Sequence, residues 1–243
     1  MLRRILVTGA SGGIGQAIAR RLAASGFSLY LHYHTSRGQA MALCEQLAAS
    51  YPKQDFIALQ ADLSLPEGVS TLCRQLIFTV DGLVYNCGKS DLGLIQDVTP
   101  AVLDQAIQLQ LKSPFQMIQK LLDPMIRAQF GRIVLMSSIW GLTGAAAETL
   151  YSMVKGGQIS LVKALAKETA SSGITVNAIA PGAVATSMLA CYSKTELDDL
   201  AESIPIGRLA QPDEVAAAVQ FLLSNDASYI SGQVISVNGA WYC

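Results

Sequence analysis

The sequence predicts an α/β fold in which helices cover both faces of one parallel sheet of about seven strands. Short apolar, β-branched runs alternate along the chain with longer segments of helical pattern. Strands separated by helices are joined by crossovers, which makes the strands parallel and the sheet doubly wound. Because no composition break or long linker divides the 243 residues, we expect residues 1–243 to form a single domain.

Seven apolar runs bounded by turn residues predict the strands. In chain order they are RILVTG, SLYLHY, DFIALQAD, GLVYNCG, GRIVLMSS, GITVNAIAPG and GQVISVNG. A capping box at Ser64-Leu65-Pro66-Glu67, with proline in the first turn, predicts that the third helix begins at about Glu67. The stretch from about Ala183 to Glu214 has no clear strand and is predicted to be helical and polar, as is typical of a lid or substrate loop.

Composition and charge narrow the class of function. Apolar residues make up 51% of the chain and charged residues 14%, which indicates a large buried core. The 17 basic and 18 acidic residues give a net charge of -1, so neither a nucleic acid nor an anionic membrane is expected as a partner. The apolar run before the first glycine is too short for a signal peptide, and no stretch reaches membrane-spanning length. We therefore expect a cytoplasmic protein.

Cysteine and histidine usage argues against a disulfide framework or a metal site. The five cysteines are odd in number, irregularly spaced and without a C-x-x-C pair, so free thiols are expected. The two histidines, His32 and His34, have no cysteine or acidic cluster beside them in the sequence. The cysteines are Cys44, Cys73, Cys87, Cys191 and Cys243.

A glycine-rich turn follows the first predicted strand directly and opens a helix. This context is the one that a Rossmann-type dinucleotide site requires. Gly9 permits the tight turn, Gly13 lets the backbone approach a pyrophosphate, and Gly15 allows close packing of the helix. The unpaired N–H groups at the helix amino terminus then face the phosphates. The alternative is a plain tight turn that binds nothing.

The segment YSMVK places Tyr151 and Lys155 on one face of a predicted helix. A free phenol, with a pKa of about 10, is a poor acid or base near neutral pH unless its anion is stabilised. A lysine one helical turn away can stabilise it. The spacing is therefore compatible with a catalytic pair, although a surface pair has the same spacing.

The order of these motifs resembles the short-chain dehydrogenase/reductase superfamily over essentially the whole chain. The segment from Thr8 to Gly15 matches its T-G-x-x-x-G-x-G, and YSMVK matches its Y-x-x-x-K. Ser138 lies thirteen residues before Tyr151, which is the family's interval for the serine that orients the substrate. The resemblance implies that Lys155 lowers the pKa of Tyr151 and grips the nicotinamide ribose, while Tyr151 hands a proton to a carbonyl oxygen.

Further residues are assigned by the same resemblance. Gln110 stands where relatives carry an asparagine, the fourth catalytic member, which holds a water in a proton relay. Asp62 falls where relatives bind the adenine, although a carboxylate near a helix start is an equally simple reading. The full predicted cofactor set is Thr8, Gly9, Ser11, Gly13, Ile14, Gly15, Tyr33, His34, Arg37, Asp62, Leu63, Asn86, Gly88, Tyr151, Lys155, Pro181, Gly182 and Thr186.

The end of the second strand, LHYHTSRG, bears on the choice between NADPH and NADH. NAD-selective relatives place a carboxylate there, which would repel a 2′-phosphate. Tyr33 takes the place of that acid here, and His34, Ser36 and Arg37 suit a phosphate, so NADPH is favoured over NADH. Gly12 stands where many NADPH-using relatives carry an arginine, which points the other way.

Two groups within the superfamily share local strings with this chain. The carboxyl-terminal GRLAQPDEVAAAVQFLLSNDASYISGQVISVNGAWYC resembles the bacterial 3-oxoacyl-[acyl-carrier-protein] reductases, but Gln129 and Ser172 replace arginines of their carrier-docking face. The strings SSIWG and GAAAETLYSMVKG and the terminal WYC are more similar to the bacterial elongation factor P 5-aminopentanone reductases. This likeness implies a ketone substrate carried on a lysine of elongation factor P. A non-catalytic dinucleotide-binding protein is the alternative from another class.

Glu148 and the oligomeric state complete the predictions. Glu148 lies three residues before Tyr151, and a buried carboxylate beside an acyl chain costs several kcal/mol, so we expect it to bind a cationic substrate. Capping of the helix, or exposure to solvent, are the alternatives. The resemblance also implies a homotetramer paired through the long helices that contain Gln110 and Tyr151, with Trp241-Tyr242-Cys243 near a subunit interface or in the local core.

Overall fold

A computed structural model describes residues 3–190 and 192–243 and confirms the predicted fold class. Within these residues, seven parallel strands form one sheet in the order β3-β2-β1-β4-β5-β6-β7. The strands are β1 (Arg4–Val7), β2 (Ser28–Tyr33), β3 (Phe56–Gln60), β4 (Gly82–Tyr85), β5 (Gly131–Met136), β6 (Ile174–Pro181) and β7 (Val234–Val237). Each lies inside one of the seven apolar runs.

Nine α-helices lie in the described part of the chain. They are α1 (Gly13–Ala24), α2 (Arg37–Ser50), α3 (Gly68–Cys73), α4 (Pro100–Ile107), α5 (Ser113–Ala128), α6 (Trp140–Thr143), α7 (Thr149–Thr169), α8 (Lys194–Glu202) and α9 (Pro212–Leu223). A π-helical turn, Gln108–Lys112, joins α4 to α5. None of the helices described here is long and apolar enough to cross a membrane.

The start of α3 is close to the predicted position, but the predicted capping box is wrong. The side chain of Glu67, at the N-cap of α3, makes no capping hydrogen bond. The Ser64 hydroxyl instead donates to Asp62 Oδ1 at 2.6 Å, and the Ser64 backbone N–H donates to the same oxygen at 2.9 Å. The Ser64 hydroxyl is therefore bonded to the Asp62 carboxylate and does not cap α3.

The five inner strands of the sheet are buried on both faces because their side chains alternate between two apolar layers, whereas the edge strands β3 and β7 are partly exposed. On β1, Ile5 and Val7 pack into one layer and Leu6 into the other. The first layer contains the buried faces of α1, α2 and α9, and the second contains those of α3, α5 and α7. The sheet is thus held from both sides, and its carboxyl edge carries the loops.

The strand order places a crevice at that edge. β1 pairs with β2 on one side and with β4 on the other. The chain therefore adds β2 and β3 on one side of β1 and then crosses over to add β4 on the other side. In doubly wound folds, ligands bind outside the carboxyl ends of the strands at such a point. The segment Ala183–Glu214 lies over this edge and contains α8. The sequence predicts a polar segment here, but Met188 and Leu200 add apolar side chains to the wall of the crevice.

Four cysteines of the described chain, Cys44, Cys73, Cys87 and Cys243, are free thiols. Cys191 lies outside the described residues.

Candidate active site

A cleft of about 700 Å³ crosses the carboxyl edge of the sheet, from the glycine turn to the start of α7. It brings together most of the side chains and backbone that the sequence predicts for a cofactor and a substrate. The predicted residues in its wall are Gly9, Ser11, Gly13, Ile14, His34, Asp62, Leu63, Asn86, Gly88, Gln110, Ser138, Glu148, Tyr151, Lys155, Pro181, Gly182 and Thr186.

Four predicted cofactor residues lie behind or beside this wall. Thr8 is fully buried, and its hydroxyl accepts hydrogen bonds from the backbone N–H groups of residues 86 and 87, which ties β1 to β4. Gly15 packs against the turn, Tyr33 is buried at the end of β2, and Arg37 is exposed on the first turn of α2. These residues shape the site or flank it.

The glycine turn has the conformation that the sequence predicts. Gly9 has a φ of 61°, a left-handed value that glycine adopts without strain. A Cβ on Gly15 would lie 2.1 Å from the Gly9 carbonyl oxygen, so only glycine permits α1 to start this close to the turn. Backbone N–H groups of the first turn of α1 therefore reach the cleft without side chains in between.

His32 supports the turn from below, which sequence reasoning missed because it weighed this residue only as a metal ligand. Its Nδ1 accepts a hydrogen bond from the Gly9 backbone N–H at 3.2 Å, so its Nε2 carries the proton and donates to the Ala61 carbonyl at 3.1 Å. Burial lowers the pKa of His32 to about 4. The imidazole is thus neutral and holds Gly9 in place.

One end of the cleft, beside β2 and β3, brings two predicted residues together. Asp62 follows β3, and its Oδ2 lies 3.4 Å from His34 Nε2. Its other oxygen is held by Ser64. The histidine side chain is 53% exposed, so it remains available to a group bound at the end of β2.

Lys155 is fixed below Tyr151 by the end of β5. Its Nζ donates to the Met136 carbonyl at 2.7 Å, and the Ser137 hydroxyl donates to the Lys155 carbonyl at 2.9 Å. Nζ lies 5.4 Å from the centre of the Tyr151 ring. Burial lowers the pKa of Lys155 to about 7, because a charged ammonium is poorly solvated inside the protein.

The pKa of Tyr151 is raised, which corrects the expectation that Lys155 lowers it. Burial raises it to about 12, the Glu148 carboxylate adds to the rise, and a hydrogen bond with Ser138 opposes it. The lysine is itself buried and directed at the Met136 carbonyl. Tyr151 consequently keeps its proton at neutral pH, the state that a proton donor needs.

Gln110 lies in the π-helical turn and reaches the cleft. Its Nε2 donates to the Lys89 carbonyl at 3.0 Å, and the side chain is buried. Among the described residues, no hydrogen-bond partner reaches its Oε1. A Cβ on Gly88 would lie 3.1 Å from this oxygen and 3.0 Å from Lys155 Nζ, so both atoms face the same small space.

Glu148 is at the N-cap of α7, but its side chain makes no capping hydrogen bond. Its carboxylate turns into the cleft and accepts a hydrogen bond of 2.6 Å from the Ser90 hydroxyl. The residue is half-buried. The capping alternative is therefore wrong, and the carboxylate is a polar group of the cleft wall.

Two tryptophans in the cleft wall were not predicted there. Trp140 follows Ser138 by two residues, and Trp241 follows β7 near the carboxyl terminus. Their rings meet edge to face with centres 5.3 Å apart. The closeness of Trp140 to Ser138 in sequence was a usable signal, whereas the contact with Trp241 depends on the position of β7 in the sheet.

Comparison with known proteins agrees with this architecture. A model of the family described as Enoyl-(Acyl carrier protein) reductase matches residues 9–241. The uncharacterized oxidoreductase YmfI of Bacillus subtilis is 50% identical over 243 residues, with all of both chains covered. The 3-oxoacyl-[acyl-carrier-protein] reductase FabG of Staphylococcus epidermidis is 36% identical over 245 residues, again with 100% of both chains covered.

Solved structures show the same likeness. YwfH, an NADPH-dependent reductase involved in bacilysin biosynthesis, superposes with a TM-score of 0.93 at 26% identity, covering 100% of this chain and 99% of the other. The angucycline C-6 ketoreductase LanV with bound NADP gives a TM-score of 0.90 at 29% identity, covering 98% and 94% of the two chains.

Fold and site define an oxidoreductase that uses a nicotinamide dinucleotide. The chain belongs to the short-chain dehydrogenase/reductase family. It is an NADPH-dependent enzyme acting on a CH–OH/C=O group, as its ketoreductase and NADPH-dependent neighbours indicate. The hypothesis of a non-catalytic binder is not retained.

The residues of the cleft fit NADPH. The bare turn at Gly12 and Gly13 suits a pyrophosphate, His34 and Ser36 lie at the end of β2, and Lys155 lies at the opposite end of the cleft. When bound, this cofactor supplies a hydride to a carbonyl carbon. Ser138 and Tyr151 bring two hydroxyl groups to the same cleft, and their side chains form a hydrogen bond.

Proposed function

We propose that this protein reduces the ketone of a 5-aminopentanone group on a lysine of elongation factor P, giving 5-aminopentanol. The proposal includes NADPH as reductant, the cytoplasm as location and a homotetramer as the active assembly. In the reaction the C=O double bond becomes a single bond, the carbon receives a hydride, and the oxygen receives the Tyr151 proton. The tyrosinate is then reprotonated from solvent.

The observation that carries the proposal is the Glu148 carboxylate in the cleft. Glu148 is close enough to Tyr151 to raise the pKa of the phenol, so its charge lies near the reacting oxygen. An aminopentanone carries an ammonium a few bonds from its ketone. Pairing this ammonium with Glu148 in a partly desolvated cleft contributes about 1–3 kcal/mol, whereas an acyl chain has no group for the carboxylate.

The surroundings of Glu148 also suit a cation. The Ser90 hydroxyl donates to one carboxylate oxygen, which fixes the direction of the charge. Trp140 and Trp241 line the same cleft, and indole faces attract cations. A carboxylate together with aromatic rings is a common arrangement for binding an ammonium.

A second candidate is 3-oxoacyl-[acyl-carrier-protein] reductase, which is favoured by the 36% identity to FabG over the whole chain. Against it stand Gln129, which is exposed, and Ser172, which is half-buried, at positions where that group carries arginines for an acidic carrier. Fold alone does not choose between the two substrates.

The test presents both substrates to the same enzyme preparation. Elongation factor P bearing the ketone and a 3-oxobutanoyl thioester of the carrier protein are each incubated with NADPH. The proposal expects NADPH consumption with the modified factor and a gain of two hydrogens on its lysine by mass spectrometry. Reduction of the thioester alone would replace the proposal by the second candidate.

A further inference from the structure

Gln158 is a fully buried polar residue on α7, one turn beyond Lys155. Its Nε2 donates to the Gln110 backbone carbonyl at 2.8 Å, and its Oε1 lies 3.5 Å from Lys155 Nζ. Burying a carboxamide without partners costs several kcal/mol, so these two contacts account for a glutamine in the core at this position. One side chain thus bridges the lysine and the turn that carries Gln110.

The carbonyl held by Gln158 belongs to the π-helical turn Gln108–Lys112. Such a turn interrupts the regular ladder of helix hydrogen bonds, so a donor from outside the helix adds to the contacts that hold it in place. Gln158 is such a donor, from the neighbouring helix. The position of Gln110, and of the Oε1 that faces Gly88, therefore depends on Gln158.

The Lys155 ammonium has few polar neighbours in the described residues. It donates to the Met136 carbonyl at 2.7 Å and meets Gln158 at the outer limit of a hydrogen bond, where the attraction is mainly electrostatic. The titratable groups that face it are the Cys87 thiol beyond β4 and the Tyr151 phenol on its own helix, with Glu148 acting on that phenol. In the described part of the chain, Gln158 Oε1 is thus one of two oxygen atoms that accept a hydrogen bond from Nζ.

We propose that Gln158 is a positioning residue for the reaction, because its carboxamide ties the Lys155 ammonium to the backbone of the Gln110 turn. In this role it keeps Nζ below Tyr151 and favours the charged lysine. Gln158 itself lies outside the cleft wall and touches the reaction only through these two neighbours.

Two substitutions separate the two contacts. Gln158→Met keeps the length of the side chain but removes both the donor and the acceptor. Gln158→Glu also removes the donor to Gln110, yet places a negative charge beside Lys155. Gln108→Met is the matched control. Gln108 is also a buried glutamine and lies in the turn that carries Gln110, but its Nε2 donates to the Ser113 hydroxyl and does not contact Lys155.

The readout is NADPH affinity as a function of pH, measured from the fluorescence of bound NADPH between about pH 6 and pH 9, which requires no ketone. The pH midpoint at which affinity falls should shift up by about one unit in Gln158→Glu and down by about one unit in Gln158→Met. A one-unit shift is a tenfold change in affinity between the midpoints.

Gln108→Met should lower the unfolding temperature but keep the midpoint of the unaltered protein. Equal midpoints in both Gln158 variants, whatever their stability, would overturn the proposal, because a merely structural glutamine has no preference for the charge of Lys155. A shift of both midpoints in the same direction would overturn it too. Should Gln158→Glu fail to fold, the shift of Gln158→Met against Gln108→Met still decides the question.

Discussion

The Ser90 hydroxyl donates a hydrogen bond of 2.6 Å to Glu148 Oε2, across 58 positions of sequence. The bond joins the loop after β4 to the N-cap residue of α7, and both residues line the cleft. It fixes the Glu148 carboxylate in the cleft wall, where we propose that it binds the ammonium of a cationic ketone.

We predict that Glu148→Gln weakens the binding of a cationic ketone and leaves a neutral one unaffected. The substitution keeps shape and hydrogen bonding but deletes the charge. Losing an ion pair worth about 1–3 kcal/mol should raise KM for the cationic ketone by roughly five- to hundred-fold. Suitable probes are 5-(dimethylamino)pentan-2-one, which cannot cyclise to an imine, and its neutral analogue 6-methylheptan-2-one.

Ser90→Ala is the accompanying control for this prediction. It removes the hydroxyl that directs Glu148 and should raise KM for the cationic ketone by a smaller factor. Equal losses on both ketones in Glu148→Gln, or no loss on either, would leave Glu148 with a structural role only.

Gly15→Ala should destabilise the protein and weaken NADPH binding. The added methyl group would meet the Gly9 carbonyl oxygen at 2.1 Å, and the backbone of the turn has to move, which we expect to cost about 1–3 kcal/mol. Gly12→Ala is the matched control for folding, because its Cβ would lie 3.5 Å from the same oxygen in ordinary contact. Urea unfolding of the two variants measures the difference, and equal stability would contradict the close approach.

Stability should fall in mild acid because of His32. The folded pKa, about 4, lies below the unfolded value of about 6.5, so the unfolded chain binds a proton that the fold excludes. The contribution of His32 is full above about pH 6.5 and is lost progressively towards pH 4, by up to about 3 kcal/mol.

Chemical unfolding at several pH values tests this slope. His32→Asn should flatten it between about pH 6.5 and pH 4. An unchanged slope in His32→Asn would show that the imidazole is not held neutral below the glycine turn.

We predict that the protein is a homotetramer in solution. Phe115 on α5 and Met153 on α7 are 50% and 49% exposed, on the helices through which pairing is expected. Light scattering should give the mass of four chains at micromolar concentration, and Phe115→Glu should reduce it. Ile77→Glu, at a residue 70% exposed outside these helices, should keep the full mass. A monomer for the unaltered chain would refute the prediction.

The fold could be predicted because its signals are local. Apolar runs mark the strands, and the glycine turn and the Tyr151–Lys155 spacing mark the two ends of the cleft. The predictions that were wrong depend on neighbouring side chains that the sequence pattern does not specify. The predicted cap of α3 does not form because the Ser64 hydroxyl bonds to Asp62 instead.

The electrostatics of the site depend on three-dimensional burial in the same way. The pKa of Tyr151 rises rather than falls because the ring is enclosed and Glu148 faces it, while the nearby lysine is itself buried. The spacing of Tyr151 and Lys155 in the sequence does not show that either side chain is buried. Trp241 likewise reaches the cleft only because β7 lies beside β6.

We propose that Tyr151 gives its proton to the carbonyl oxygen while Lys155 and the glycine turn hold NADPH. Tyr151→Phe separates the two roles, because it deletes one hydroxyl and leaves the ring in place. NADPH consumption with the cationic ketone should fall by about 100- to 10,000-fold, while fluorescence titration shows that NADPH still binds. Substantial ketone reduction by Tyr151→Phe would contradict the account.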